Sequence, residues 1–320
     1  MKKIIAISSF WPLPEELLAK ISAAAPDYEL LDLSTNPTDE QLAECEILFG
    51  NAKADIISKM PNLKWVHAQT AGVESFLNPA NPLPKDIALT NSSGAYGIAI
   101  GEHMLNFTMM LLRNSAGYLS QQRQHIWRGI TATARNLYNR NVTVIGLGDI
   151  GGRYAMLCHA LGANVSGVVR TPRSSKPEYI NTLYTTDQIE DAIKDADIVA
   201  LALPGTGETA GILSRQRLAA MKKGVIIVNI GRGSAIDQAA LVELLQSGHI
   251  GGAGLDVTTP EPLPQDSPLW DMENVIITPH VSHGGRDNTS GLVVDKFVRY
   301  LKDYLAGRGF ERVIDRKAGY

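Results

Sequence analysis

The chain has 320 residues, enough for two domains or one large one. Hydrophobic residues make up 44% of it and charged residues 20%, which fits a globular protein with a substantial core. A net charge of −3 gives no overall pull toward nucleic acid or anionic lipid. The two cysteines, Cys45 and Cys158, are too far apart for a metal-type spacing; they read as small buried hydrophobes in a reducing compartment.

The opening "MKKIIAISSFWPLP" places two lysines before an apolar run, but the run from Ile4 to Ile7 stops at Ser8-Ser9 and is too short for a secretory core. It reads as a first β-strand. No apolar stretch reaches the roughly 18 residues of a membrane span, so a cytoplasmic protein with no membrane partner is expected. Strand-like runs follow at "YELLDLS", "EILFGN", "LKWVHAQ" and "IALTNSS", with helical runs "PEELLAKISAAA", "DEQLAEC" and "ADIISKM" between them. Such alternation with tight links predicts a parallel sheet covered by helices on both faces. Gly94 and Gly97 then precede a long helical pattern from about Ile98 to Trp127, whose Met104, Met109 and Met110 read as ordinary packing.

A second alternation begins at "NVTVIGLGDIGG" and continues through "NVSGVV", "DIVALALP", "GVIIVNIG", "GGAGLDV" and "NVIITPH", with helices at "SRQRLAAM" and "DQAALVELLQ". The hydrophobes of "VIIVNIG" run on rather than alternate, as in a strand buried on both faces. Beyond Arg286 comes one amphipathic helix, "VVDKFVRYLKDYLAG". The expectation is an α/β chain of two doubly wound parallel-sheet domains, the second inserted into the first, with the last helix returning to the first.

Gly146-x-Gly148-x-x-Gly151 stands directly after the strand "VTVI" and opens a helix. Gly146 permits a tight turn, Gly148 lets a pyrophosphate approach the backbone, and Gly151 lets helix pack on strand. The free N–H groups at the helix start then favour a dianion. NAD binders place an acid on the ribose hydroxyls about 20 residues further on. Here the strand ends "VVRTPR": Val169 falls where the acid is expected, and Arg170, Thr171 and Arg173 follow. A guanidinium fork, a hydroxyl and a second cation suit a 2′-phosphate, so NADP is the expected cofactor. If the arginines are merely solvated, NAD is bound less selectively.

Three stretches carry candidate chemistry. "NIGRGSAID" puts Arg232 just past the carboxyl end of a buried strand, "GLDVTTPEPLP" puts Glu261 in a proline-rich loop after another, and "NVIITPHVS" puts His280 at the end of a third. Ligands of open α/β sheets bind outside the carboxyl ends of the strands. Singly these are a surface charge, a turn residue and a capped imidazole; placed together they favour a site. His103 on the long helix reads as packing or a subunit contact, His283 as a loop residue, and Tyr96 and Trp270 as pocket lining or core.

With "WVHAQTAGVESF", "LALPGTGETAGIL", "VIIVNIGRGSAIDQAALVELLQSGHIGGAGLDV" and "EPLPQDSPLW" added, the chain resembles the D-isomer-specific 2-hydroxyacid dehydrogenase family over nearly its whole length, in its glyoxylate/hydroxypyruvate reductase-like branch. The resemblance implies a Rossmann cofactor domain, 99–285, inserted into a flavodoxin-like substrate domain, 1–98 and 286–320. It implies Arg232 as substrate anchor, Glu261 as orienting acid and His280 as proton donor. The N–H groups of Ala71, Gly72 and Val73 would hold the substrate carboxylate, with substrate enclosed between the domains. Asp149, Ile150 and Pro204 join the glycines at the cofactor, Thr206 and Thr209 either join them or are ordinary turn hydroxyls, and Asp256 would accept from the nicotinamide amide. Reduction of a 2-oxo acid needs hydride on carbon and a proton on oxygen; an imidazolium beside a carboxylate suits the second, and a guanidinium suits the substrate's carboxylate.

The implied protein is a homodimer joined through the Ile98–Trp127 helix, acting on glyoxylate, hydroxypyruvate, pyruvate or a bulkier oxo acid, with no metal. A formate dehydrogenase would carry Gln at the position of Glu261. Two alternatives stay open: a phosphoglycerate dehydrogenase-type enzyme, and a dinucleotide-sensing corepressor or scaffold that keeps the glycine turn.

Overall fold

The computed structural model describes residues 3–78, 80, 82–129, 134–284 and 288–319, without the side chain of residue 288. Contacts divide the chain into two units, Met1–Ala95 with Gly285–Tyr320, and Tyr96–Gly284; the boundary expected at 285/286 lies outside the described residues.

The first unit is built on a parallel sheet of five strands: β1 (Lys3–Ser8), β2 (Tyr28–Asp32), β3 (Cys45–Gly50), β4 (Trp65–Ala68) and β5 (Ala88–Asn91). Their order, β2-β1-β3-β4-β5, reverses direction between β1 and β3, the flavodoxin-like arrangement. Helices α1 (Glu15–Ala24), α2 (Asp39–Ala43) and α3 (Ala54–Ile57) connect the strands, and α1 packs on the C-terminal helix, Asn288–Leu305. A capping box starts α2: Thr38 Oγ1 accepts from the Gln41 N–H while Gln41 Oε1 accepts from the Thr38 N–H.

Alternation along the central strands sorts their side chains onto two faces. Ala6, Leu48, Val66 and Ala68 join one apolar cluster with Leu42, Phe76 and Ile314. On the other face Phe49 and Trp65 meet Phe297, with ring centroids 4.5 and 5.2 Å apart. Glu46, buried in β3, accepts from the hydroxyls of Tyr28 at 2.7 Å and Tyr304 at 2.8 Å and pairs with Lys3 and Lys64. Burial alone would raise its pKa, but the tyrosine hydrogen bonds and Lys3 outweigh that and hold it at about 2.

The aromatic face also contains His67, fully buried, with Nδ1 2.7 Å from Thr90 Oγ1 and Nε2 3.1 Å from Ser92 Oγ. A neutral ring satisfies both hydroxyls, one as donor and one as acceptor. Burial, reinforced by the charge of Lys296, pushes its pKa down to about 3.

The second unit is a parallel sheet of seven strands: β6 (Asn141–Ile145), β7 (Asn164–Val169), β8 (Thr182–Thr185), β9 (Ile198–Leu201), β10 (Val225–Asn229), β11 (Ile250–Leu255) and β12 (Val275–Ile277). The order is β12-β11-β10-β9-β6-β7-β8, doubly wound about β6 and β9. Every residue of β9 and β10 is buried, as the unbroken apolar runs require. The remaining helices are α4 (Gly97–Leu112), α5 (Ser115–Arg123), α6 (Asp149–Ala160), α7 (Ile189–Ile193), α8 (Arg215–Ala220) and α9 (Gln238–Gln246). Two doubly wound parallel-sheet units therefore form this α/β chain.

One expectation is corrected and one strand is added. The single helix from Ile98 to Trp127 is two helices, α4 and α5, separated at Asn114, whose φ of 53° is left-handed. Asparagine tolerates that conformation at small cost, so an apolar period carried through it does not guarantee a continuous helix. Trp127 lies beyond α5 and is fully exposed. The short edge strand β8, with no fully buried residue, has no hydrophobic run to betray it and was not expected.

Because the folded imidazole of His67 resists protonation and the unfolded one does not, its contribution to stability is complete above about pH 6.5 and declines as the pH falls toward 3. The expected slope is up to about 1.4 kcal/mol per pH unit in that window. A His67→Gln variant, whose side chain cannot take up the proton, is expected to lose this component; urea midpoints of both proteins between pH 7 and 4.5 provide the check.

Candidate active site

The glycine turn joins β6 to α6. Gly146 has φ +97°, and a Cβ there would lie 2.6 Å from the Ala202 carbonyl oxygen. A Cβ on Gly151 would lie 1.9 Å from the Gly146 carbonyl oxygen, so helix and turn pack at backbone contact. Gly148 caps α6 without a side-chain hydrogen bond, and no atom lies within 4 Å of where its Cβ would be. The first residues of α6, Asp149, Ile150 and Gly151, thus present their N–H groups at an open approach. Asp149 turns its carboxylate toward Gly97 at the start of α4.

At the end of β7, Val169 is buried and Arg170 and Thr171 are exposed. Arg170 Nη1 lies 3.6 Å from Glu208 Oε2, and Arg173 Nη2 donates to the Leu147 carbonyl of the glycine turn at 3.1 Å. Arg173, Ser174 and Lys176 border an open groove with Val169, Leu183 and Tyr184. After β9, Thr209 donates its hydroxyl to the Pro204 carbonyl at 2.6 Å and accepts from the Thr206 N–H at 3.0 Å. The observed partners of both threonines and of Pro204 belong to that turn.

Arg232, Glu261 and His280 follow β10, β11 and β12, three neighbouring strands whose carboxyl ends lie side by side. Asn229, buried at the end of β10, donates to the Arg232 carbonyl at 3.0 Å and accepts from the Gly231 N–H at 3.1 Å, which fixes the turn before Arg232. A Cβ on Gly233 would stand 2.0 Å from the Thr258 carbonyl oxygen, so the loops after β10 and β11 touch through their backbones. Glu261 Oε1 accepts from the Thr258 N–H at 3.1 Å, and its Oε2 lies 2.9 Å from His280 Nδ1. The carboxylate orients the ring, leaving Nε2 as the nitrogen directed elsewhere.

His280 itself has φ +55°, a strained conformation for a residue with a side chain. Its N–H donates to the carbonyls of Asp256, at 2.9 Å, and Thr278, at 3.0 Å. Asp256 was expected at the nicotinamide amide. It is 1% exposed, with its oxygens accepting from the Thr278 hydroxyl at 2.5 Å and the N–H groups of Val281 and Ser282 at 2.9 and 3.1 Å. Burial acts to raise its pKa, but the hydroxyls of Ser282 and Thr278 and the N–H groups of Val281 and Ser282 outweigh it and hold the carboxyl below the ordinary range. These bonds fix the turn that bears His280. Sequence reading missed Asn229, Thr258 and Thr278, short polar residues at strand ends; their position beside the candidate residues was the only available signal.

In the first unit, the Ala71 carbonyl accepts from Asn91 Nδ2 and the Gly72 carbonyl from Thr70 Oγ1. Among the described residues, the N–H groups of Ala71, Gly72 and Val73 donate to no protein acceptor. Among the described residues, no helix is long and apolar enough to cross a membrane.

A glycine turn between the first strand and helix of a doubly wound sheet, with candidate polar groups at neighbouring strand ends, defines a protein of the dinucleotide-fold class. Residues 105–282 match the family described as "D-isomer specific 2-hydroxyacid dehydrogenase, NAD binding domain". The chain belongs to the D-isomer specific 2-hydroxyacid dehydrogenase family. It is similar to the crystal structure of a family protein from Aeromonas salmonicida, with 28% identity, a TM-score of 0.87 and coverage of 99% of this chain and 100% of that one. It is also similar to an NADPH-dependent glyoxylate/hydroxypyruvate reductase from Sinorhizobium meliloti in complex with NADP and sulfate, with 28% identity, a TM-score of 0.84 and full coverage of both chains. A D-3-phosphoglycerate dehydrogenase from Mycobacterium leprae is 31% identical over 228 residues, which cover 71% of this chain and 42% of that protein.

The two glycines of the turn are expected to separate structure from binding. Gly151→Ala must displace backbone and is expected to cost about 3 kcal/mol or more of unfolding free energy. Gly148→Ala, in open space at φ −80°, is expected to leave the melting temperature near native while weakening dinucleotide binding. Thermal melts and a nucleotide fluorescence titration on both variants check this.

Proposed function

We propose that this chain uses NADPH to reduce a short 2-oxo acid to the D-2-hydroxy acid. The observation that carries the reading is the 2.9 Å contact between His280 Nδ1 and Glu261 Oε2 at neighbouring strand ends of a family member. With Nδ1–H directed to the carboxylate, Nε2 of the imidazolium holds the proton destined for the substrate's carbonyl oxygen, and Glu261 stabilises the cation until transfer. Arg232 pairs with the substrate carboxylate and polarises the adjacent carbonyl. Among the described residues, the N–H groups of Ala71, Gly72 and Val73 donate to no protein acceptor, which suits them to a carboxylate. The dinucleotide, when bound, supplies the hydride to the carbonyl carbon.

The glycine turn fits that cofactor, because the Gly148 position is open and the α6 N–H groups face the approach. NADP is favoured over NAD because the end of β7 offers Arg170, Thr171 and Arg173 and no acid. The Arg170–Glu208 pair is exposed and long, weak enough for a dianionic phosphate to displace. The NADP complex of the Sinorhizobium relative agrees with this assignment. We place the protein in the cytoplasm, on the two buried free thiols. We take it to be a homodimer joined through α5 and the segment after it, where Leu119, Ile126 and Trp127 are exposed.

One panel tests the proposal: native chain, His280→Gln and Arg170→Asp, each with glyoxylate, hydroxypyruvate, pyruvate and bulkier 2-oxo acids, with NADPH and NADH, followed at the nicotinamide absorbance. The native chain is expected to turn over at least one acid with NADPH preferred. His280→Gln is expected to lower kcat about 100-fold or more, and Arg170→Asp to move the preference toward NADH. Bound NADPH without turnover anywhere in the panel overturns the reading in favour of a dinucleotide-sensing corepressor.

A further inference from the structure

The turn bearing His280 is tied to a helix remote from it in sequence. His103, in the second turn of α4, places Nε2 3.1 Å from Thr278 Oγ1. Thr278 in turn donates its hydroxyl proton to Asp256 Oδ1 at 2.5 Å. A hydroxyl has one proton, and an ionised carboxylate only accepts, so Thr278 Oγ1 must accept from His103. This fixes the imidazole as a donor through Nε2–H. The resulting chain runs in one direction, from His103 to Thr278 to Asp256, each bond polarising the next. Asp256 then gathers the N–H groups of Val281 and Ser282, while its main-chain carbonyl takes the N–H of His280.

The surroundings of His103 suit a fixed donor. Its ring stands edge-on to Phe107 one turn later, at 4.5 Å and 71°, and α4 packs against β10, β11 and β12. Burial lowers its pKa, with the charge of Asp256 opposing, which favours the neutral ring. Packing on Phe107 would be served equally by an apolar ring; the link to Thr278 would not.

We infer that His103 is a positioning residue, whose Nε2–H acts through the Thr278 hydroxyl and the Asp256 carboxylate to hold His280 in its left-handed turn against Glu261. The inference rests on the reading of His280 as proton donor for its kinetic consequence, but not for its structural one. Without the donor, the Thr278 hydroxyl loses the partner that orients it toward Asp256, and the turn can relax until His280 parts from Glu261.

The test uses the full chain labelled with 15N-histidine, with the His280 resonances assigned by their loss in His280→Gln. In His103→Phe, which keeps an aromatic ring and removes the donor, the His280 Nδ1 signal is expected to leave its native position. His103→Gln, whose amide restores a donor near Nε2, is expected to bring it back. Thr278→Val cuts the same link without touching α4; it should reproduce the displacement and decides the matter if His103→Phe does not fold. In turnover, kcat is expected to fall about tenfold in His103→Phe and Thr278→Val, with the Kd for NADPH within about twofold of native and recovery in His103→Gln. His280 signals unmoved in folded His103→Phe and Thr278→Val overturn the inference. If the native chain reduces no 2-oxo acid, the reading of function fails while the spectra still decide the positioning role.

Discussion

The turn from Thr278 to Ser282 depends on the buried carboxylate of Asp256. His280 occupies the left-handed region, which costs a residue with a side chain on the order of 1 kcal/mol. Hydrogen bonds to the Asp256 carboxylate, among them those from the Thr278 hydroxyl and the N–H groups of Val281 and Ser282, oppose that strain. A hydrogen bond to a charged acceptor contributes about 1.5–3 kcal/mol, so the set exceeds the strain even after part of it offsets the desolvation of the carboxylate. Removing the carboxylate would therefore free the turn rather than merely weaken a contact. Asp256 and His280 come together because β11 and β12 are neighbours, with Leu255 in register with Ile277.

The same economy of close approach governs the other strand ends. Gly146 meets the Ala202 carbonyl, Gly231 the Leu203 carbonyl and Gly233 the Thr258 carbonyl, each too closely for a Cβ to intervene. The loops after β6, β9, β10 and β11 are thereby joined backbone to backbone. Side chains placed on such loops, Arg232 and Glu261 among them, inherit positions set by the sheet rather than by flexible connections. The proposed chemistry uses that rigidity: an imidazole oriented by a carboxylate that is itself held by the Thr258 N–H.

The first unit applies similar physics to stability. Its sheet buries one neutral imidazole, His67, and one ionised carboxylate, Glu46, and gives each a full set of partners. These groups resist titration in opposite senses, the base because burial disfavours its cation and the acid because its partners favour its anion. Neither belongs to the candidate site.

Much of this could be read from sequence. Among the described residues, apolar runs alternating with helical periods marked eleven of the twelve strands, and Gly146, Gly148 and Gly151 marked the turn. Those signals are local: they arise from steric limits on one residue or from the period of one element. Arg232, Glu261 and His280 stand out as candidates by a weaker version of the same logic, as polar groups following buried strands. Tertiary structure alone decided the break at Asn114, the edge strand β8, the left-handed backbone of His280 and the partners of Asp256. In each case the outcome depends on atoms distant in sequence. A sequence can announce that a carboxylate is present, but only the packed sheet determines which donors arrive to claim it.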